Sequence, residues 1–214
     1  EFDMFKDEIP KLHAIAEERN LNHIKMSHRL MDGNLLFNIK KAIKEENIDF
    51  IVMGTSGAAG WQAFFLGTNT GNVLTAVDVP VLSVPSDAKF NKISTIGFTT
   101  RYREKDKKAL KSVLKIAKKT NAIVKCLYVK TNDSDVSPST IKQWEEEFVG
   151  EPIQFSLIPS DDVQDTILDF VLFKDIDVLA MLTYKRNFFV ELFKPSLTQK
   201  FSNRLGIPVL AMHE

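Results

Sequence analysis

Only one cysteine, Cys126, occurs in the chain, so no disulfide can form within it, and a reducing compartment is the expected setting. Its position in the apolar run Ile123-Val124-Lys125-Cys126-Leu127-Tyr128-Val129 marks it as buried core. No apolar stretch approaches the roughly 20 residues that a membrane-spanning helix needs. The N-terminus lacks the basic-then-apolar order of a signal peptide, and the expected location is cytoplasmic, with no membrane partner. Neither sign of charge is in excess: 28 basic residues face 28 acidic ones, which excludes a global field that would draw the chain to nucleic acid. The lysines between Lys105 and Lys119 alternate with an apolar face and read as a solvated helix surface. Four histidines, His13, His23, His28 and His213, form no i, i+4 pair and have no cysteine cluster beside them, so no metal site is expected.

What the chain does contain is an internal repeat. At a constant offset of 128 residues, Ile39 falls on Ile167, Asp49 on Asp177, Met53 on Met181, Thr70 on Thr198, Pro80 on Pro208 and Leu82 on Leu210. The matches sit at core and turn positions, which implies duplication of a whole domain. The boundary is expected near Pro85-Ser86-Asp87-Ala88, giving residues 1–87 and 88–214.

The second copy reads as five strands alternating with four helices. Strands are expected over 92–97, 122–129, 153–158, 178–181 and 209–212. Between them, Leu110, Val113, Leu114 and Ala117 lie at helical spacing, and Ser137-Pro138 is an N-cap followed by proline at the first helical position. Asp161 or Asp162 can cap a helix carrying Val163, Ile167, Phe170 and Val171, and Ser196 a last helix with Leu197, Phe201 and Leu205. Such alternation predicts an α/β fold with a parallel sheet and ligands outside the carboxyl ends of its strands. By the same offset the first copy lacks its first strand, first helix and second strand. Residues 1–20 correspond to its second helix, which Pro10 would kink or delay. The expectation is a first domain that is incomplete at its N-terminus in this chain.

One constellation suggests chemistry. After the apolar strand Phe50-Ile51-Val52-Met53 come Gly54-Thr55-Ser56-Gly57, nine residues, and then Gly67-Thr68 opening a helix. Glycines permit sharp turns and close backbone approach, and the free amides at a helix start attract phosphate. Neither the P-loop nor the Gly-x-Gly-x-x-Gly pattern fits. Trp61, Phe64, Phe65 and Leu66, matched by Phe188, Phe189, Leu192 and Phe193, could cover each sheet or form an interface between protomers.

The spacing Gly-x-x-Gly, nine residues, Gly-Ser/Thr resembles the ATP-binding signature of the universal stress protein family, complete here as Gly54, Gly57, Gly67 and Thr68. Pro80-Val81-Leu82-Ser83-Val84 is similar to that family's final strand. The resemblance covers both copies. It implies two tandem five-stranded, Rossmann-like domains that pair through their final strands, and a stress-response protein that binds ATP, with or without magnesium, over the glycine loop. Asn69 is carried over as a backbone contact to phosphate. It further implies an acid at the end of the first strand, where the second copy has Gly97-Phe98-Thr99-Thr100-Arg101. At the signature positions the second copy reads Leu182, Lys185, Pro195 and Ser196. ATP is therefore expected in the first copy only. No positioned nucleophile or carboxylate cluster is visible, so at most a slow ATPase is expected. A scaffold or interaction protein of the same fold, without nucleotide, is the alternative. The partners expected are adenine nucleotide and either a second copy, as a homo-oligomer, or the missing N-terminal segment.

Overall fold

A computed structural model describes residues 2–55, 68–85, 88–89, 92–183 and 207–213. It divides into two units, Glu1–Asn34 and Leu35–Glu214.

The first unit holds helix α1, Phe2–Glu18, with Pro10 in its interior. The proline does not end the helix as its missing N–H and ring would favour. Asn20, at φ 57°, supplies the left-handed turn that stops it, and Leu21 N–H donates to the Ala16 carbonyl at 2.7 Å. The rest of the unit, 21–34, contains no strand. By the repeat, residues 25–31 should be the first copy's third strand. Its counterpart in the second copy pairs with one neighbour only, the preceding strand. Among the described residues no strand lies beside 25–31, and an isolated segment gains little from an extended conformation.

The second unit is built on a seven-stranded sheet. Its elements are α2 (Leu35–Glu46), β1 (Ile51–Thr55), α3 (Thr68–Ala76), β2 (Val81–Pro85), β3 (Thr95–Thr99), α4 (Glu104–Thr120) and β4 (Ile123–Lys130). They continue as α5 (Pro138–Glu147), β5 (Ile153–Pro159), α6 (Val163–Phe173), β6 (Val178–Leu182) and β7 (Val209–Met212). The strand order is β1-β2-β7-β6-β3-β4-β5. Every pairing is parallel except β2 with β7. The helix expected over 196–205 lies outside the described residues.

Local signals account for most of these elements. Ser137 caps α5 by accepting the Thr140 N–H at 3.2 Å, with Pro138 at the first helical position. Asp162 caps α6 by accepting the Asp165 N–H at 3.0 Å. Helix α4 buries Leu110, Val113, Leu114 and Ala117 and ends on left-handed Asn121. Those side chains join Phe98, Val124, Cys126, Tyr128 and Trp144 in a core on one face of the sheet. Val73, Leu74 and Val77 of α3 and its C-terminal turn join Ile167, Phe170, Leu179 and Val209 on the other.

The antiparallel pair at the centre carries an approximate two-fold relation. Val81 lies opposite Ala211, Leu82 opposite Leu210 and Ser83 opposite Val209. Leu82 and Leu210 are the very residues that the repeat equates, so the relation passes through that pair. The next strands out obey it too. Ile51 N–H donates to the Pro80 carbonyl at 2.9 Å, and Leu179 N–H to the Pro208 carbonyl at 3.0 Å, the same bond 128 residues on. Strands β2 and β7 thus pair antiparallel at the centre of the sheet.

Candidate functional site

Strand polarity decides where chemistry can sit. Because β2 and β7 run antiparallel, β1 and β2 end at one edge of the molecule, and β3, β4, β5, β6 and β7 end at the opposite edge. Ligand sites outside carboxyl ends therefore fall at two opposite ends of one sheet.

At the first end stands Gly54, next to last in β1 and in register with Val84. Its backbone is not left-handed, and among the described residues a Cβ added there would meet nothing within 4 Å. Neither backbone strain nor crowding by those residues calls for glycine at this position. Thr68 and Asn69 are the first two residues of α3, a nine-residue helix, so their backbone amides belong to the N-terminal turn, which has no intrahelical partners. The helix is held against β1, β2 and α2 by Val73 and Leu74, both fully buried. Gly57 and Gly67 lie outside the described residues.

At the second end, the position equivalent to Gly54 is Leu182, whose side chain is buried and belongs to the core. The equivalents of the remaining signature residues, Lys185, Pro195 and Ser196, lie outside the described residues. Beside Leu182 a cavity of about 360 Å3 opens over the ends of β3 and β4. Thr99, Tyr128, Asp133 and Asp135 contribute to its wall, and Val163 and Ile167 of α6 close one side.

The loop 100–103 beside this cavity is fixed from below by Asp106. That carboxylate is fully buried in the first turn of α4, and its Oδ2 accepts the backbone N–H groups of Arg101 at 2.7 Å and Arg103 at 3.1 Å. The Thr100 hydroxyl also donates to it at 3.2 Å, and in turn accepts the Tyr102 N–H at 2.8 Å. These bonds hold Tyr102 at φ 56°, a conformation costly for an aromatic residue. On the rim, Arg103 Nη2 donates to both carboxylate oxygens of Asp135, at 2.8 and 2.9 Å. The Arg103 hydrogen bond holds the Asp135 carboxyl below the ordinary carboxylate range. Burial, ahead of nearby negative groups, raises Tyr102, which meets Tyr128 edge-on at 5.2 Å. The Tyr128 hydroxyl is buried with no hydrogen-bond partner among the described residues.

The glycine spacing drew attention to the first end, whereas the cavity at the second end carries no motif. Asp106 was hidden in a lysine-rich helix start, although an acid three residues after a helix boundary is a capping signal. Asp133 and Asp135 lie on a polar loop with no motif of their own. Among the described residues no group of three or more His, Cys, Asp or Glu side chains converges as metal ligands would. No helix among them is long and apolar enough to cross a membrane.

The comparisons with known proteins agree with the geometry. The family model described as Universal stress protein family matches residues 4–85, a span that includes the whole glycine constellation. A universal stress protein from Archaeoglobus fulgidus DSM 4304 is similar in structure, with a TM-score of 0.69 at 20% identity, covering 100% of this chain and 78% of that one. A functionally unknown protein from Pseudomonas aeruginosa PAO1 gives a TM-score of 0.68 at 12% identity, covering 97% of this chain and 78% of its own. No curated protein sequence matches the chain. Residues 4–85 are therefore similar to the universal stress protein family, and the described residues form an α/β fold like that of the archaeal universal stress protein.

Proposed function

We propose that the chain is an adenine-nucleotide-binding stress-response protein that holds the phosphates of ATP at Gly54, Gly57, Gly67, Thr68 and Asn69. The observation that carries this reading is Gly54: a glycine at the carboxyl end of β1 that neither left-handed backbone nor crowding among the described residues requires. Close approach by a ligand supplies the reason for it. The helix start at Thr68 adds backbone amides and a positive dipole end, which suit an anion. ATP fits these groups as backbone-bound phosphate. A magnesium ion, where present, would arrive with the nucleotide's own oxygens, since the described residues offer no carboxylate cluster for it.

In this proposal the chain is a tandem of two domains, 1–87 and 88–214, and it acts in the cytoplasm. The 128-residue match between the Ile51–Pro80 and Leu179–Pro208 hydrogen bonds supports the duplication. Buried Leu182 at the position of Gly54 supports a nucleotide site in the first domain alone. The protein works by binding, with ATP hydrolysis at most slow.

Calorimetric titration of ATP into the protein tests the assignment. Gly57→Val should remove most binding in a chain whose circular dichroism is unchanged, and Lys185→Val should leave affinity within about twofold. The reverse result would move the site to the second domain. Absence of binding in the unmodified chain would favour the alternative, a scaffold of the same fold.

A further inference from the structure

Helix α3 has little intrinsic tendency to form. Its sequence, Thr-Asn-Thr-Gly-Asn-Val-Leu-Thr-Ala, holds only two strong helix formers, Leu74 and Ala76, among threonines, asparagines, a valine and a glycine. At nine residues it is also shorter than the roughly 12–15 that an isolated helix needs in water. Tertiary contacts must hold it. Val73, Leu74 and Val77 supply one set, in a single apolar cluster with Val209 and Ala211 of β7.

A second hold is polar. The carbonyls of a helix's last turn have no intrahelical donor, and the Leu74 carbonyl accepts a hydrogen bond from His213 Nε2 at 2.6 Å. A carbonyl only accepts, so Nε2 carries the proton in this pair. His213 directly follows β7 and is half-buried, and its Nδ1 is buried with no partner among the described residues. The ring therefore makes one directed bond among them, from the end of β7 to the C-terminal turn of α3. The matching position in the repeat cannot make it. The residue 128 positions before His213 is Pro85, which has no side-chain donor. At 1.5 Å per residue α3 is only about 13 Å long, so a hold on its last turn also fixes the height and tilt of its first.

We propose that His213 is a positioning residue for the anion site at the opposite end of α3: by holding the Leu74 carbonyl it sets where the backbone amides of Thr68 and Asn69 meet phosphate. The inference rests on the nucleotide reading above. It adds to that site a side chain from across the central strand pair.

The test uses two variants of the full chain, His213→Leu, which cannot donate, and His213→Gln, whose amide Nε2 can donate at a similar reach. ATP affinity is read by calorimetry, and amide hydrogen exchange is read at Val73, Leu74 and Thr75 in α3 against Val124 and Cys126 in β4. His213→Leu should weaken ATP binding and speed exchange in α3 by about tenfold, the order of one hydrogen bond, with β4 unchanged. His213→Gln should stay within about threefold of the unmodified chain in both measurements. Equal acceleration in β4 would show a general loss of stability and overturn the proposal, as would a tenfold loss of affinity in His213→Gln. If the unmodified chain binds ATP and His213→Leu binds it equally well, the positioning role fails while the nucleotide reading stands. If the unmodified chain binds none, the nucleotide reading fails and the role falls with it.

Discussion

Strands β1 and β6 derive from equivalent stretches of sequence, hold equivalent bonds to equivalent neighbours, and end in opposite conditions. Every residue of β6 is buried; β1 alternates between half-buried and exposed positions. The composition of the strands does not explain this, since Phe-Ile-Val-Met is as apolar as Val-Leu-Ala-Met. What differs, among the described residues, is the neighbour on the other side. A strand's burial belongs to the sheet around it, and the same apolar run is core with β3 and α4 beside it and surface without them.

The comparison is broken most severely by placing a charge in each strand. Ala180→Asp buries a carboxylate with no partner and should cost about 4 kcal/mol or abolish folding. Val52→Asp, at the equivalent position, should change stability by no more than about 0.5 kcal/mol. Urea midpoints, with unchanged slopes, measure both. Equal losses would mean that β1 is as enclosed as β6.

Exchanging the strand ends is the next largest change. Leu182→Gly empties a filled position and should cost about 3 kcal/mol, within the range for large-to-small core changes. Among the described residues nothing lies within 4 Å of a Cβ at Gly54, so Gly54→Leu should leave stability nearly unchanged and instead remove ATP binding in the titration. Stability loss at Gly54 with ATP affinity intact would contradict the site assignment.

Asp106 sharpens the contrast between an organised loop and an open one. Asp106→Ala strands three donors around loop 100–103 and should cost about 2–3 kcal/mol in thermal or urea unfolding. The smallest effect is expected at Asp135. Its folded-state value lies below the ordinary one, so its contribution is present above the normal carboxylate range and is lost as pH falls through the depressed folded value. The pair is solvent-exposed, so Asp135→Asn should only slightly flatten the acid limb of stability against pH.

The elements with a local cause were legible. Ser137-Pro138 set the start of α5, Asp162 that of α6, and the spacing of Leu110, Val113, Leu114 and Ala117 marked the buried face of α4. What depends on a distant partner was not. Residues 25–31 match β5 by the repeat but form no strand, because pairing, not propensity, makes one. Pro10 lies inside α1 despite its local preference. The site divides in the same way: the glycine spacing lies in one contiguous stretch and could be read, whereas the cavity at the other end draws Thr99, Asp133, Ile167 and Leu182 from four separate segments.

The pairing of Leu82 with Leu210 has one more consequence. Two separate chains meeting edge to edge would associate according to their concentration, and would part when thinned out. Here both edges belong to one covalent chain, so each meets the other at an effective concentration set by the intervening polypeptide. The central joint of the sheet should hold at any dilution.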